Sequence, residues 1–179
     1  GVGGETMRKL LREFGTPEEV YATPYNLLLK VVGESVAQHI ATGPDRDAIA
    51  PALAWLDDPR NHLITLADSD YPRRLLEIPD PPPMLYVKGR VELLNNRALA
   101  IVGSRNATPQ GEKNAEKFAW ALSEAGYCIV SGLALGIDGA AHRGALRGAG
   151  STIAVVGTGL DVVYPARHRE LAHEIATSG

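Results

Sequence analysis

The sequence is poor in cysteine, in long apolar runs and in surplus charge of either sign. Cys128 is its single cysteine, which excludes an internal disulfide and any zinc site built on cysteine ligands. No apolar run approaches the ~18 residues that a membrane-crossing helix requires. The opening Gly1-Val2-Gly3-Gly4-Glu5 has neither the basic start nor the apolar stretch of a signal peptide. A cytoplasmic protein without a membrane partner is the expectation. Lys and Arg number 18 against 21 Asp and Glu, so the global basic signature of many nucleic-acid binders is missing. Of these, 11 basic and 14 acidic residues precede Ala98, and 7 of each follow. Attraction to a polyanion has to come from a local site. No Ser/His/Asp or paired-carboxylate arrangement stands out, and no metal spacing links His142 with His168, so neither catalytic nor metal-binding residues are expected.

What is present is an ordinary globular composition, 45% hydrophobic and 22% charged over 179 residues. Residues 1–56 read as short helices. Met7, Leu10, Leu11 and Phe14 recur at helical spacing, and Gly15 stops the run. Thr16-Pro17-Glu18-Glu19 has the residues of a capping box, Thr23-Pro24 repeats the start signal, and a last helix is expected over 47–56. Gly1-Val2-Gly3 and Val31-Val32-Gly33 each precede an amphipathic helix. Glycine turns of this kind occur in helix-hairpin-helix modules, where N–H groups meet a DNA phosphate, and also in compact bundles that simply need to turn. Residues 57–97 form an extended connector with strand candidates at 63–66 and 84–87, too apolar to be a flexible linker.

From Ala98 the pattern becomes regular. Apolar runs at 98–102, 127–130 and 152–156 alternate with helical segments at 108–125, about 139–147 and about 167–176. That alternation predicts right-handed βαβ units around a parallel sheet covered on both faces, the doubly wound α/β class. Ligands of such sheets lie beyond the carboxyl ends of the strands. Each run there ends in a glycine-bearing loop: Gly103-Ser104-Arg105, Ser131-Gly132-Leu133-Ala134-Leu135-Gly136, and Gly157-Thr158-Gly159. Glycine lets backbone N–H groups approach a phosphate, a following helix start favours negative charge, and Arg105 adds a fork of donors. Asp138 reads as a helix cap, Asp161 as a turn cap or a hydroxyl contact, and Tyr164 as a loop former or stacking ring. Two nucleotide sites are excluded on detail. The first loop has one glycine where a dinucleotide fold needs three, Ser131 stands where the ribose-binding carboxylate belongs, and no Gly-Lys-Ser/Thr occurs. No cofactor is expected.

Several segments resemble the bacterial DNA-processing protein A (DprA, also called Smf) family. They are Ala100-Ile101-Val102-Gly103-Ser104-Arg105, Ser131-Gly132-Leu133-Ala134-Leu135-Gly136-Ile137-Asp138, and Ala141-His142-Arg143-Gly144-Ala145-Leu146. Gly157-Thr158-Gly159-Leu160-Asp161-Val162-Val163-Tyr164-Pro165, Tyr71-Pro72-Arg73-Arg74-Leu75 and the 82–89 segment also fit. The resemblance implies a SAM-like or helix-hairpin-helix region at 1–56, the connector at 57–97, and the first half of a Rossmann-like DNA-binding domain at 98–179. It implies a non-enzymatic single-stranded DNA binder of natural transformation that protects incoming strands and helps load the recombinase RecA, homodimeric at full length. By motif, Gly103, Ser104 and Arg105 carry over as phosphate contacts. Ser131, Gly132, Gly136, Gly157, Thr158 and Gly159 complete the pocket, with Asp138, Asp161 and Tyr164 in support. The family's sheet continues with further strands, so the sequence reads as a fragment. The competing reading is a nucleotide-binding protein or a nucleotide phosphoribohydrolase-type enzyme using the same phosphate pocket, although the latter's proline-glycine-glycine loop with its downstream glutamate is missing.

Overall fold

A computed structural model describes residues 2–179, so Gly1 of the first glycine turn lies outside the described residues. Five helices open the chain: α1 (Gly4–Phe14), α2 (Pro17–Ala22), α3 (Tyr25–Leu28), α4 (Glu34–Thr42) and α5 (Arg46–Trp55). The capping box forms as the sequence predicts. Glu19 N–H donates to Thr16 Oγ1 at 3.3 Å, and Thr16 N–H donates to Glu19 Oε2 at 2.6 Å. Gly15 closes α1 at φ 95°, a conformation costly for other residues. Leu10, Val20, Leu28, Val32, Ala37 and Ile40 then meet in one apolar core.

The connector is ordered by pairing. β1 (Asn61–Thr65) and β2 (Met84–Lys88) run antiparallel, with Leu63 opposite Tyr86. The first strand starts two residues before the expected 63. Asn61 is buried there, and its amide donates to the Trp55 carbonyl at 2.6 Å, tying the ladder to the end of α5. Between the strands Tyr71 is buried and its hydroxyl donates to the Pro82 carbonyl at 2.7 Å. Arg8 of α1 donates to the Pro81 carbonyl at 2.8 Å and pairs with Asp80, which links the helical region to this segment.

The last part holds β3 (Ala98–Ala100), α6 (Pro109–Glu124), β4 (Cys128–Ser131), α7 (Ile137–Ala145), β5 (Thr152–Ala154) and α8 (Arg169–Ser178). The strands form one parallel sheet in the order β3-β4-β5. Ala119 of α6, Ala141 and Ala145 of α7 and Ile129 of β4 share a core. Leu133 joins Leu171 and Ile175 of α8 in another. Small residues let α6 and α7 approach closely: a Cβ on Gly144 would lie 2.1 Å from the Glu116 carbonyl oxygen.

β3 and β5 are shorter than their apolar runs. Ile101 N–H still bonds the Val130 carbonyl, and Val155 N–H the Ser131 carbonyl. Beyond these bonds the ladder ends, and β4 itself stops at Ser131. Val102 and Val155, counted as strand residues in the sequence reading, are 73% and 62% exposed. The helix expected from 139 begins two residues earlier, bringing Asp138 into its first turn.

Candidate nucleic-acid interface

The three glycine loops sit at the carboxyl ends of β3, β4 and β5, and the first two are braced against each other. The first, 103–107, follows β3. Asn106 N–H donates to Ser104 Oγ at 3.0 Å, a local turn that uses the serine hydroxyl as acceptor. Thr108 then caps α6, accepting Gly111 N–H at 3.1 Å. The second loop, 132–136, supports the first. Ile137 N–H donates to the Ser104 carbonyl at 3.2 Å. A Cβ on Gly103 would fall 2.7 Å from Ile137 Cγ1, and one on Gly136 would fall 2.3 Å from the Ser104 carbonyl oxygen. Gly136 also has φ 76°, so glycine is demanded there by conformation as well as by space.

Two of the predicted site residues spend their polar groups internally. Ser131 is buried, and its hydroxyl donates to the Ile101 carbonyl at 2.6 Å, which braces β4 to β3 rather than presenting a donor to solvent. Asp138 is 6% exposed, and its Oδ2 accepts Gly132 N–H at 3.2 Å and Ala134 N–H at 3.4 Å. The carboxylate therefore folds the second loop back onto α7. It acts on the loop, and two of the loop's amides are occupied.

The third loop carries Gly157, Thr158 and Gly159, all exposed. Thr158 Oγ1 donates to the Val162 carbonyl at 3.2 Å, and the Asp161 carboxylate closes over Gly159, where a Cβ would meet Oδ1. Asp161 thus shapes this loop, while the Tyr164 ring is 69% exposed beyond it. His168 returns the chain to the second loop. It is buried, its Nδ1 lies 2.9 Å from the Leu133 carbonyl oxygen, and its ring packs on Gly139.

Beneath the loops lies His142, fully buried in α7. Thr152 Oγ1 donates to the Ile129 carbonyl at 2.6 Å, so its single proton is committed. His142 Nδ1, 2.7 Å from the same oxygen, must then be the protonated nitrogen and the donor. Its Nε2 is buried without a partner among the described residues. Burial pushes the His142 pKa down to about 4; Asp138 opposes that shift, and His168 and Arg143 add to it. The imidazole is neutral at pH 7 and serves as packing.

The groups left facing solvent are donors. Arg105 is exposed and pairs with no carboxylate among the described residues. The N–H groups of Ser104, Arg105, Thr158 and Gly159 meet no protein acceptor among the described residues. Amides and a guanidinium on loops held by their neighbours make a surface suited to an anion with several oxygens. No group of His, Cys, Asp and Glu suited to a metal occurs among the described residues. Sequence reasoning missed Ile137, whose side chain carries the first loop. A single apolar residue at a helix start gives no signal of such a role.

The profile of the family described as DNA recombination-mediator protein A matches residues 62–179. The chain belongs to that family. It is 48% identical over 120 residues to Protein Smf of Synechocystis sp., covering 65% of this chain and 30% of that protein. It is similar in fold to the solved DNA processing protein A of Streptococcus pneumoniae, with a TM-score of 0.81, 34% identity, and coverage of 99% of this chain and 61% of that one. A second match, TM-score 0.59 at 34% identity over 66% of this chain and 53% of the other, is to the Helicobacter pylori protein, whose structure concerns its single-stranded DNA binding mode. The Rossmann-like fold implied by the resemblance, in line with the parallel α/β class expected from the strand pattern, is the fold of this family. The chain spans less than a third of the Synechocystis protein's length.

Proposed function

We propose that the chain binds single-stranded DNA through the loops at 103–105, 132–136 and 157–159, with Arg105 as the principal phosphate contact. The observation that carries the reading is the unpaired, exposed Arg105 set among free backbone N–H groups on a braced loop. Family membership and the DNA-binding neighbour from Helicobacter pylori support it. In this reading Gly103, Ser104, Thr158 and Gly159 offer amides, Gly157 allows close approach, and Gly132 and Gly136 let the loops pack. Ser131, Asp138 and Asp161 hold the loops, and Tyr164 is placed to stack on a base. Residues 1–56 act as a helical accessory region, 57–97 as a connector and 98–179 as the DNA-binding unit.

The role that follows is non-enzymatic. The complete protein protects strands entering the cytoplasm during natural transformation and hands them to RecA as a homodimer. Binding of a labelled oligo-dT strand, followed by fluorescence anisotropy at two salt concentrations, tests the reading. Salt-sensitive binding resisted by duplex and by mononucleotide is expected. Arg105→Ala should weaken it about tenfold and lower the salt slope by about 0.7, the share of one single-strand phosphate contact. Unchanged affinity removes Arg105 from the interface, and displacement by mononucleotide favours a nucleotide site instead.

A further inference from the structure

A groove of about 360 Å³ lies on the connector, lined by Ser69, Arg73, Arg74, Leu94, Asn95 and Asn96. None of these residues belongs to the glycine loops. Its two walls are separated by some twenty positions in sequence and are pinned together by one side chain. Asn95 Oδ1 accepts Arg73 N–H at 3.1 Å, and Asn95 Nδ2 donates to the Asp70 carbonyl at 3.1 Å. Tyr71 and Pro72, immediately before the arginines, are buried. The groove therefore stands on fixed backbone.

Its lining is one-sided. Arg73 and Arg74 are exposed, and among the described residues neither guanidinium lies within ion-pair distance of a carboxylate. Arg8, Arg60, Lys88, Arg90 and Arg147, by contrast, are all paired. The nearby acidic residues do not enter the groove. The Asp68 carboxylate is taken by Thr65 N–H and Oγ1, and Asp70 and Glu77 are not among the lining residues. Ser69 and Asn96 also line the groove, and among the described residues neither side chain has a hydrogen-bond partner. Two planar donor forks and two neutral donors, with no carboxylate between them, select an anion bearing several oxygens and reject cations.

We propose that this groove holds a backbone phosphate of a nucleic-acid strand, a second contact separate from the Arg105 loop. The assignment to a strand rests on the function proposed above; the anion chemistry rests on the groove alone. The test compares the 179-residue chain with its Arg73→Gln/Arg74→Gln variant, using a six-nucleotide and a thirty-nucleotide oligo-dT. The substitutions are on the surface, and unchanged thermal unfolding confirms that the fold is kept. The variant should bind the long strand about tenfold more weakly, with a salt slope lower by about 0.7, and bind the short strand as the parent does. Equal long-strand affinity in the two proteins overturns the proposal. Competition of the groove's contribution by inorganic phosphate at the same phosphate concentration makes free phosphate the ligand and overturns the assignment to a strand. If the parent binds neither strand, the earlier reading fails separately. The groove is then judged by titrating inorganic phosphate against the ¹⁵N-labelled chain: shifts at the Arg73 and Arg74 Nε–H signals sustain the anion site, and their absence refutes it.

Discussion

Acid should destabilise this fold through one side chain. His142 is fully buried with its pKa pushed down to about 4, whereas the unfolded chain binds that proton near the ordinary value of 6.5. A base with a depressed folded pKa leaves the unfolded state holding more protons as pH falls. Its stabilising contribution is complete above the unfolded pKa and is lost between about 6.5 and about 4. For those two values the linkage relation gives a loss of about 2 kcal/mol between pH 7 and pH 5, and roughly 3 kcal/mol below pH 4. The geometry explains why the proton has no easy place. Nδ1 is already the donor to Thr152, and a proton on Nε2 would put a charge at an atom without a partner among the described residues. Burial is the main force against that charge; Asp138 opposes that force, while His168 and Arg143 add to it. Urea unfolding followed by circular dichroism at pH 7, 6 and 5 measures the effect against His142→Asn, which keeps a donor toward Thr152 and cannot be protonated. The variant starts less stable at pH 7, and the gap to the parent should close by about 2 kcal/mol at pH 5. Equal losses in the two proteins would refute the assignment of that acid sensitivity to His142.

Three further outcomes follow from close contacts and burial. Gly136→Ala forces a Cβ against the Ser104 carbonyl at φ 76° and should cost roughly 1–3 kcal/mol in urea unfolding, with strand binding weakened because the Arg105 loop must shift. Gly144→Ala wedges α7 away from the Glu116 carbonyl and should lower the unfolding free energy by at least about 2 kcal/mol; a change within ±0.5 kcal/mol would show that the helices part freely. Cys128 is buried in β4 and its thiol is pushed up to about 11 by that burial, so iodoacetamide should label it only under denaturing conditions, as mass spectrometry of the intact chain reports.

Much of the scaffold was readable from local chemistry. Thr16, Pro17 and Glu19 specify a helix start by side-chain bonds within four residues, and the alternation of apolar runs with helical segments after Ala98 specifies parallel βαβ units. The gathering of the three glycine loops on one edge followed as well, since loops at the ends of parallel strands lie there whatever the details. Strand lengths did not. An apolar run at 98–102 looks the same whether or not its neighbour continues alongside, and in the folded chain the β3–β4 pairing stops at Ala100 opposite Val130.

Roles within the site were also decided by tertiary structure. Ser131 and Asp138 have the composition of phosphate-facing or capping residues, yet one hydroxyl goes to Ile101 and one carboxylate to two loop amides. Arg105 sits in a loop and Arg74 in a short 3-10 helix, and only packing shows that neither has a carboxylate partner among the described residues. Asn95, unremarkable in sequence, holds both walls of a groove because residues 70–73 fold back beside it. The sequence by itself determined which backbone shapes are cheap, because capping, glycine conformation and apolar periodicity act over a few residues. Which donors stay free was decided only in the folded chain, because a hydrogen bond depends on partners that distant segments bring within reach.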